Sequence, residues 1–309
     1  MTSRIALFPG QGAQQVGMAA DFMSAYPQVR AKFDEASQVL GRDLGKICRE
    51  GPEEVLNATD ICQAALLVSS LAMFEVLEKE LGWKEWEGMA GLSLGEITAL
   101  AAAGALSFSD AVRLVSARGR YMQEACDKVP SGMLSLIGMT RPEAEALASE
   151  VRGAGVLVVA NINSETQMVL SGEPALLQKA AARAGELGKK AIPLKVAGAF
   201  HSPLMKPADS QLSELLATLD VKSPRCKVWS NVDGQPHTTP AEIKRKLPLQ
   251  VVSPVLWVDC MLAMPATATY CEIGVGRVLS GLLKKHSRNI LVSAVNTIED
   301  VKKLKEAQA

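Results

Sequence analysis

Short apolar runs alternate with longer helical stretches along the first part of the chain. Residues 5–8 form an apolar run that ends in Pro-Gly-Gln-Gly, and residues 89–92 form a second run. Apolar runs of this length, bounded by turn residues, are typical of buried strands. Helices are predicted at about residues 18–41, 59–81 and 110–126. Together these segments predict an open α/β sheet.

The pattern changes between residues 130 and 196. Strand-like runs and helical stretches follow one another there in the order β-α-β-β-α-β, which is the order of a ferredoxin-like unit. The four strands are predicted at residues 133–137, 156–160, 167–170 and 191–194, with helices ending near residues 152 and 187. We therefore expect residues 130–196 to form a small subdomain inserted into a larger one of residues 1–129 and 197–309. Strands of the larger subdomain are predicted again at residues 226–229, 270–273 and 290–293.

Residues 91–95 form a G-x-S-x-G stretch between a predicted strand and an alanine-rich helical stretch. A serine on such a turn is a nucleophile elbow, because the glycines let the backbone fold tightly and leave Oγ clear at the head of a helix. The helix N-terminus and the free N–H of Leu94 can stabilise a developing oxyanion there. The loop at residues 9–12, after the first strand, offers backbone N–H groups for the second half of an oxyanion hole. Ser93 is therefore the candidate nucleophile.

A serine nucleophile needs a base within hydrogen-bond reach, and histidine is the usual one. The chain has three. His286 lies among lysines, whose charge disfavours an imidazolium, and His237 lies in a polar loop where we expect a surface position. His201 lies between apolar Phe200 and Pro203 at the predicted subdomain junction, where a cleft is expected, so it is the candidate base. No acidic residue stands out as a third member, which leaves a Ser-His dyad oriented by a backbone carbonyl or an amide side chain.

Three arginines, Arg113, Arg118 and Arg120, lie on the predicted helix at residues 110–126. Apolar residues surround Arg113 and Arg118, so we expect at least one of them to point into a site. For each arginine taken alone, a solvated or salt-bridged position is the ordinary alternative.

Composition excludes several classes of function. The 309 residues carry 33 basic and 33 acidic side chains, so no net charge draws the chain to nucleic acid or to an anionic membrane. The longest apolar stretch, residues 64–76, is interrupted by polar residues and is expected to be a core helix instead of a membrane span. No signal peptide is expected, and six scattered cysteines predict reduced thiols in a cytoplasmic protein. The histidine spacing predicts no metal site, and the lack of a coiled-coil pattern favours a monomer.

Six short motifs follow one another along nearly the whole chain. They are Phe8-Pro9-Gly10-Gln11-Gly12, Gly91-x-Ser93-Leu94-Gly95-Glu96, Arg118-Gly119 with Met122-Gln123, Ala199-Phe200-His201-Ser202, Ser230-Asn231-Val232-Asp233-Gly234 and Glu272-Ile273-Gly274-x-Gly276. Together they resemble the malonyl-CoA:acyl carrier protein transacylase family. Any one motif is a weak signal, whereas six in order at family-like spacing are a strong one. The resemblance implies an α/β-hydrolase-like large subdomain with an inserted ferredoxin-like small subdomain, which agrees with the pattern of apolar runs.

The resemblance also implies catalytic roles. Ser93 would be acylated, and His201 would serve as its base and acid. The backbone amides of Gln11 and Leu94 would form the oxyanion hole, and Gln250 would orient the histidine.

Further residues are implied for the acyl pocket. Arg118 would hold the malonyl carboxylate, and Gln63 and Asn161 would lie beside it. Phe200 matches the malonyl-selecting choice of related acyltransferases. One departure affects this pocket, because Leu92 stands where the family usually has a histidine before the nucleophile. The Ser-His chemistry does not depend on that position, but the surroundings of the bound carboxylate do.

The expected activity is therefore an acyl transfer with ping-pong chemistry. Malonyl-CoA would acylate Ser93, and the phosphopantetheine thiol of an acyl carrier protein would take the malonyl group, so CoA is a substrate and no cofactor is expected. A serine hydrolase, such as a thioesterase or esterase, is the alternative because the elbow does not distinguish water from a thiol. A silent carrier-binding subunit is disfavoured, since nucleophile and base are both present. The sequence does not distinguish a carrier protein of fatty acid synthesis from one of polyketide synthesis, and it does not say whether methylmalonyl groups are accepted.

Overall fold

The computed structural model describes residues 3–287 and 289–308. Within them the chain forms two sheets and fourteen α-helices. The strands are β1 (Arg4–Phe8), β2 (Gly88–Gly91), β3 (Gly132–Ile137), β4 (Leu157–Ser164), β5 (Gln167–Gly172), β6 (Lys190–Pro193), β7 (Lys227–Val228), β8 (Thr269–Ile273) and β9 (Val292–Val295). The helices are α1 (Ala20–Ala25), α2 (Pro27–Leu40), α3 (Leu44–Glu50), α4 (Glu53–Asn57), α5 (Thr59–Leu81), α6 (Leu94–Ala102), α7 (Phe108–Lys128), α8 (Arg141–Arg152), α9 (Pro174–Glu186), α10 (Ala208–Thr218), α11 (Pro240–Gln250), α12 (Trp257–Ala263), α13 (Val278–His286) and α14 (Ile298–Glu306).

The larger sheet is parallel and has the strand order β7-β2-β1-β8-β9. Its central strands are almost wholly buried, as expected of parallel strands that are covered on both faces. Strand β1 pairs with β2 so that Phe8 lies opposite Gly91. The carboxyl ends of both strands therefore meet at one edge, which brings the loop after β1 beside the turn after β2.

The smaller sheet is antiparallel and has the strand order β4-β5-β3-β6. Helices α8 and α9 pack on one of its faces around a separate cluster of apolar side chains. The order β-α-β-β-α-β predicted for this part of the sequence is present. Helix α8 begins with a capping box between Thr140 and Glu143 and ends at Arg152, where the sequence predicted its end. The chain is thus an α/β protein with a parallel sheet and a separate antiparallel one.

Several elements differ from the predictions. The helix expected at residues 18–41 is two helices, because Tyr26 is extended and Pro27 begins α2, where its missing N–H costs no helical hydrogen bond. Strand β7 has only two residues, and β9 begins two residues later than predicted. Helices α3, α4, α10 and α14 were not predicted from the sequence.

Helix α5 is the one helix of the described residues that is long and apolar enough to cross a membrane. However, 89% of its most apolar stretch is buried inside the protein. It packs against α7, α6 and α2, so it is the core helix that the sequence predicted.

None of the six cysteines forms a disulfide, and five of them are buried. Reduced thiols were predicted from their scattered spacing. Burial raises the pKa of all six thiols, so they are poor nucleophiles in the folded protein.

Candidate active site

Ser93 occupies a strained turn between β2 and α6, at the carboxyl edge of the parallel sheet. Its φ is 55° and its ψ is −101°, a conformation that L-residues rarely adopt. The turn is tight because glycines remove two clashes. A Cβ on Gly91 would lie 2.1 Å from the carbonyl carbon of Gly95, and a Cβ on Gly95 would lie 2.1 Å from the carbonyl oxygen of Phe8. The geometry is that of a nucleophile elbow.

His201 meets this serine from a loop between the two sheets. Its Nε2 lies 2.8 Å from Ser93 Oγ, and its Nδ1 lies 2.8 Å from the backbone carbonyl oxygen of Gln250. Because a carbonyl only accepts, Nδ1 carries the proton, which leaves Nε2 free to accept from the serine hydroxyl. The sequence left a carbonyl and an amide side chain as alternatives for orienting the histidine, and the carbonyl occupies that place.

Arg118 on α7 completes the set of groups around the serine. The side chain is 2% exposed, and Nη2 donates to Ser93 Oγ at 2.9 Å and to Gln250 Oε1 at 2.9 Å. Nη1 donates to Gln63 Oε1 at 2.8 Å, and Nε has no partner among the described residues. Burial lowers the pKa of Arg118 to about 10, while the charge of Glu96 acts in the opposite direction. The guanidinium therefore keeps its charge at neutral pH.

Among the residues that the structure describes, no carboxylate forms a salt bridge with Arg118, so its positive charge has no direct counter-ion there. Arg113 and Arg120 instead have side chains that are 53% and 62% exposed and pair with acids on their own helix. Arg118 is therefore the arginine of α7 that points into the site, and its acceptors are neutral amides and a hydroxyl.

Two backbone N–H groups beside the serine are available to a ligand. Leu94 is the first residue of α6, so its N–H has no partner within the helix. Gln11 lies in the turn after β1 and lines the same cavity as Ser93. Neither backbone N–H donates to another group in the described part of the chain. Both predicted oxyanion donors thus lie at the expected edge of the sheet.

A cavity of about 770 Å³ opens above these groups, between the two sheets. Leu92, which follows β2, and Phe200, which precedes His201, line one side of the cavity. Asn161 on β4 lines it from the antiparallel sheet. Gln63 was also predicted to line the pocket, but it is fully buried and lies behind Arg118, which it contacts. No cluster of three or more histidine, cysteine or acidic side chains suited to a metal occurs in the described ranges.

Comparison with known proteins relates this arrangement to a family. Residues 6–305 match the family model described as "Acyl transferase domain". The chain is 42% identical to the malonyl CoA-acyl carrier protein transacylase of Bacillus subtilis, over 97% of this chain and 95% of that protein. This chain belongs to the malonyl CoA-acyl carrier protein transacylase family.

Solved structures of family members share the fold. The malonyl CoA-acyl carrier protein transacylase of Coxiella burnetii gives a TM-score of 0.94 at 35% identity, covering 99% of this chain and 97% of that one. A malonyl-transacylase in complex with its type II PKS acyl-carrier protein gives a TM-score of 0.94 at 36% identity, covering 99% of this chain and 100% of that one. These relatives favour the transacylase interpretation of the sequence over the alternative of a serine hydrolase.

Sequence reasoning assigned no role to two residues that contact the nucleophile or its neighbours, Glu96 and Asn231. Asn231 Oδ1 accepts from the backbone N–H of Ser93 at 2.5 Å, and the fully buried carboxylate of Glu96 accepts from the backbone N–H of Asn231 at 2.9 Å. An acid in the first turn of a helix ordinarily faces water beside the helix dipole. The sequence nevertheless contained a signal that Glu96 is buried. Helix α6 has almost no other polar residue, so it has no polar face that would lie in water.

The prediction that His237 lies at the surface is wrong. Its side chain is fully buried, and its Nε2 lies 2.8 Å from Glu96 Oε1. The polar loop after β7 folds back onto the sheet, because the backbone N–H of His237 donates to the carbonyl of Val228 at 2.8 Å. His286 lies outside the site, with a side chain that is 21% exposed and 3.9 Å from Glu165.

The environment of His201 keeps its imidazole neutral. Burial and then the charge of Arg118 lower its pKa to about 4, while the hydrogen bond to the Gln250 carbonyl acts in the opposite direction. An ordinary histidine has a pKa of about 6.5. Because the pKa is lowered, the imidazole is neutral at physiological pH and is lost as a base only when the pH falls towards 4.

We expect kcat/KM for acylation by malonyl-CoA to stay nearly constant from about pH 8 down to about pH 5. The free enzyme sets this profile, and its His201 remains neutral over that range. Stopped-flow acylation rates at constant ionic strength measure the acid limb, with circular dichroism at each pH as a check on folding. A limb with its midpoint near pH 6.5 would show that His201 titrates as an ordinary histidine.

Proposed function

We propose that this chain transfers a malonyl group from malonyl-CoA to the phosphopantetheine thiol of an acyl carrier protein, through a malonyl ester on Ser93. One observation carries the proposal. The buried guanidinium of Arg118, which has no carboxylate partner in the described part of the chain, lies 2.9 Å from the nucleophilic oxygen. A thioester whose acyl group ends in a free carboxylate supplies the missing anion beside the attacked carbonyl.

The first half of the proposed reaction acylates the enzyme. His201 Nε2 takes the proton of Ser93 Oγ as the oxygen attacks the thioester carbonyl. The amides of Gln11 and Leu94 stabilise the resulting oxyanion. The carbon–sulfur bond then breaks, and His201 returns the proton to the leaving CoA thiolate.

The second half repeats these steps with a different thiol. His201 takes the proton of the carrier thiol as the sulfur attacks the malonyl ester. The same two amides stabilise the oxyanion, and His201 protonates Ser93 as the ester bond breaks. Malonyl-CoA is a substrate and CoA a product in this scheme, and the transfer needs no cofactor. Carrier proteins of fatty acid and of polyketide synthesis offer the same thiol, and either is a proposed acceptor.

Selectivity for malonyl is proposed to come from Arg118. The planar guanidinium can donate two parallel hydrogen bonds to a carboxylate, which are stronger than those to the neutral acceptors Gln63 and Gln250. Phe200 and Leu92 give the pocket apolar walls around the rest of the acyl group. Asn161 is proposed as a polar neighbour of the carboxylate on the opposite wall.

We propose that residues 1–129 and 197–309 form an α/β-hydrolase-like subdomain, which the elbow at the carboxyl edge of parallel strands supports. Residues 130–196 are proposed as a ferredoxin-like insert, which the strand order β4-β5-β3-β6 supports. We propose a monomer located in the cytoplasm.

Incubation with malonyl-CoA alone is expected to leave one malonyl group on the peptide that contains Ser93, and carrier protein is expected to discharge it within seconds. A transferase must protect its acyl-enzyme from water, so the adduct should persist without an acceptor thiol. Intact mass and peptide mapping, with and without carrier protein, measure both properties. Rapid release of malonate in the absence of carrier would indicate a hydrolase, and a label on a cysteine would contradict the role of Ser93.

A further inference from the structure

The carboxylate of Glu96 accepts three hydrogen bonds inside the protein, three residues after the nucleophile. His237 Nε2 lies 2.8 Å from Oε1. The backbone N–H of Asn231 and the side-chain amide of Gln250 donate to Oε2 at 2.9 and 2.6 Å. A buried carboxylate is costly unless donors surround it, so this arrangement stabilises the charge at the first turn of α6.

The hydrogen bonds of Glu96 determine which way the Gln250 amide points. A carboxylate can only accept, so the amide nitrogen must face Glu96. The same nitrogen donates to the Ser93 carbonyl at 3.0 Å, and Oε1 then faces Arg118 Nη2 at 2.9 Å. If residue 96 were neutral, the amide could rotate and turn its NH₂ towards the guanidinium. The charge of Glu96 therefore keeps an acceptor in contact with Arg118.

Glu96 also holds the elbow itself through Asn231. Asn231 accepts from the backbone N–H of Ser93 and donates from Nδ2 to the Gly91 carbonyl at 2.9 Å. These bonds join the end of β2 to the strained serine. A strained backbone persists only where several contacts determine it together, and the bond from Asn231 N–H to Glu96 is one of them.

We propose that Glu96 is the positioning carboxylate of this active site, with His237 as the donor that anchors it. Glu96 touches neither Ser93 Oγ nor the substrate pocket; it acts through Gln250 on Arg118 and through Asn231 on the Ser93 backbone. The malonyl part of this inference depends on the proposed function. The part that concerns Ser93 does not.

Glu96→Gln tests the proposal with little change in shape. Its amide nitrogen must take the place of Oε1, which faces His237, or of Oε2, which faces the donors of Asn231 and Gln250. In the second place it opposes two donors, and in the first it needs a change of the His237 tautomer; in both the negative charge is lost. We expect kcat/KM for malonyl-CoA to fall by up to about 10²-fold, as displacements remote from the chemistry can cause. Acetyl-CoA should lose less, because it has no carboxylate for Arg118. The ratio of malonyl to acetyl rates should therefore fall.

A second measurement uses a fluorophosphonate, which reacts with an activated serine and needs no malonyl recognition. Its rate of reaction at Ser93 should fall about tenfold in Glu96→Gln. Rates are normalised to the fraction of protein that is finally labelled, and melting temperatures are recorded, so that a loss of folded protein is not counted as a slower reaction.

The matched control is Glu78→Gln. Glu78 also accepts two hydrogen bonds, from Trp86 Nε1 at 3.0 Å and from Arg225 Nη2 at 2.6 Å, and it does not line the cavity that contains Ser93. Its rates should match those of the parent. His237→Gln keeps an N–H donor for Glu96 and should retain most of the parent's kcat/KM for malonyl-CoA. His237→Leu removes that donor, so its kcat/KM should fall, but by less than that of Glu96→Gln.

The proposal is overturned if Glu96→Gln reacts with malonyl-CoA and with the fluorophosphonate within about twofold of Glu78→Gln. It is also overturned if only the melting temperature and the labelled fraction fall. If the parent transfers no malonyl group but Glu96→Gln still slows labelling of Ser93, the proposed function fails and the positioning role stands.

Discussion

Replacing His201 by alanine is expected to lower kcat/KM for malonyl transfer by about 10²–10⁴-fold, the usual contribution of a positioned general base. His201 Nε2 lies 2.8 Å from Ser93 Oγ, and the Gln250 carbonyl holds the tautomer that a base needs. Arg118, the other side chain in contact with this oxygen, is a cation and cannot accept its proton. Rapid-quench acylation by malonyl-CoA measures the effect directly.

The matched control for His201→Ala is His286→Ala. His286 lies on α13 and contacts Glu165, away from the catalytic groups, so its loss should leave the rate unchanged. His237 is unsuitable as a neutral control because it contacts Glu96. Equal losses in the His201 and His286 variants would show that another group is the base.

Replacing Arg118 by alanine is expected to lower kcat/KM for malonyl-CoA much more than kcat/KM for acetyl-CoA. Removing one partner of a buried charge pair costs roughly 2–5 kcal/mol, which is about 30-fold to several thousandfold in kcat/KM. Malonyl transfer should fall by that factor. Acetyl transfer should fall much less, or rise, because acetyl offers no carboxylate to the buried guanidinium. Arg118→Lys should rescue only partly, because an ammonium lacks the planar fork.

The measurement is kcat/KM for both thioesters on the parent and both variants, with Arg113→Ala as the control. Arg113 is on the same helix, but its side chain is 53% exposed and should be dispensable. Arg118→Ala also removes a donor from Gln63 and Gln250, so its melting temperature is recorded beside the rates. An equal loss with both thioesters would mean that Arg118 has only a structural role.

The sequence by itself determined the features that depend on near neighbours in the chain. The elbow was visible because the two glycines that make it possible lie within two residues of Ser93. The β-α-β-β-α-β order was visible because apolar runs, turns and a capping box are local signals. Arg118 was one of two arginines in apolar surroundings, and elimination among three histidines gave His201, which the structure places 2.8 Å from Ser93.

Only the tertiary structure decided which distant groups meet. His201 and Ser93 are 108 positions apart, and Glu96 is 141 positions from His237 and 154 from Gln250. A local pattern cannot tell a buried acid from an exposed one when the groups that bury it come from such distances. The sequence therefore assigned no role to Glu96 and placed His237 at the surface, although packing joins them beneath the elbow. Gln250 is the last residue of α11, and tertiary contacts determine which way the chain runs there. For that reason its backbone carbonyl contacts His201, while its side-chain oxygen contacts Arg118.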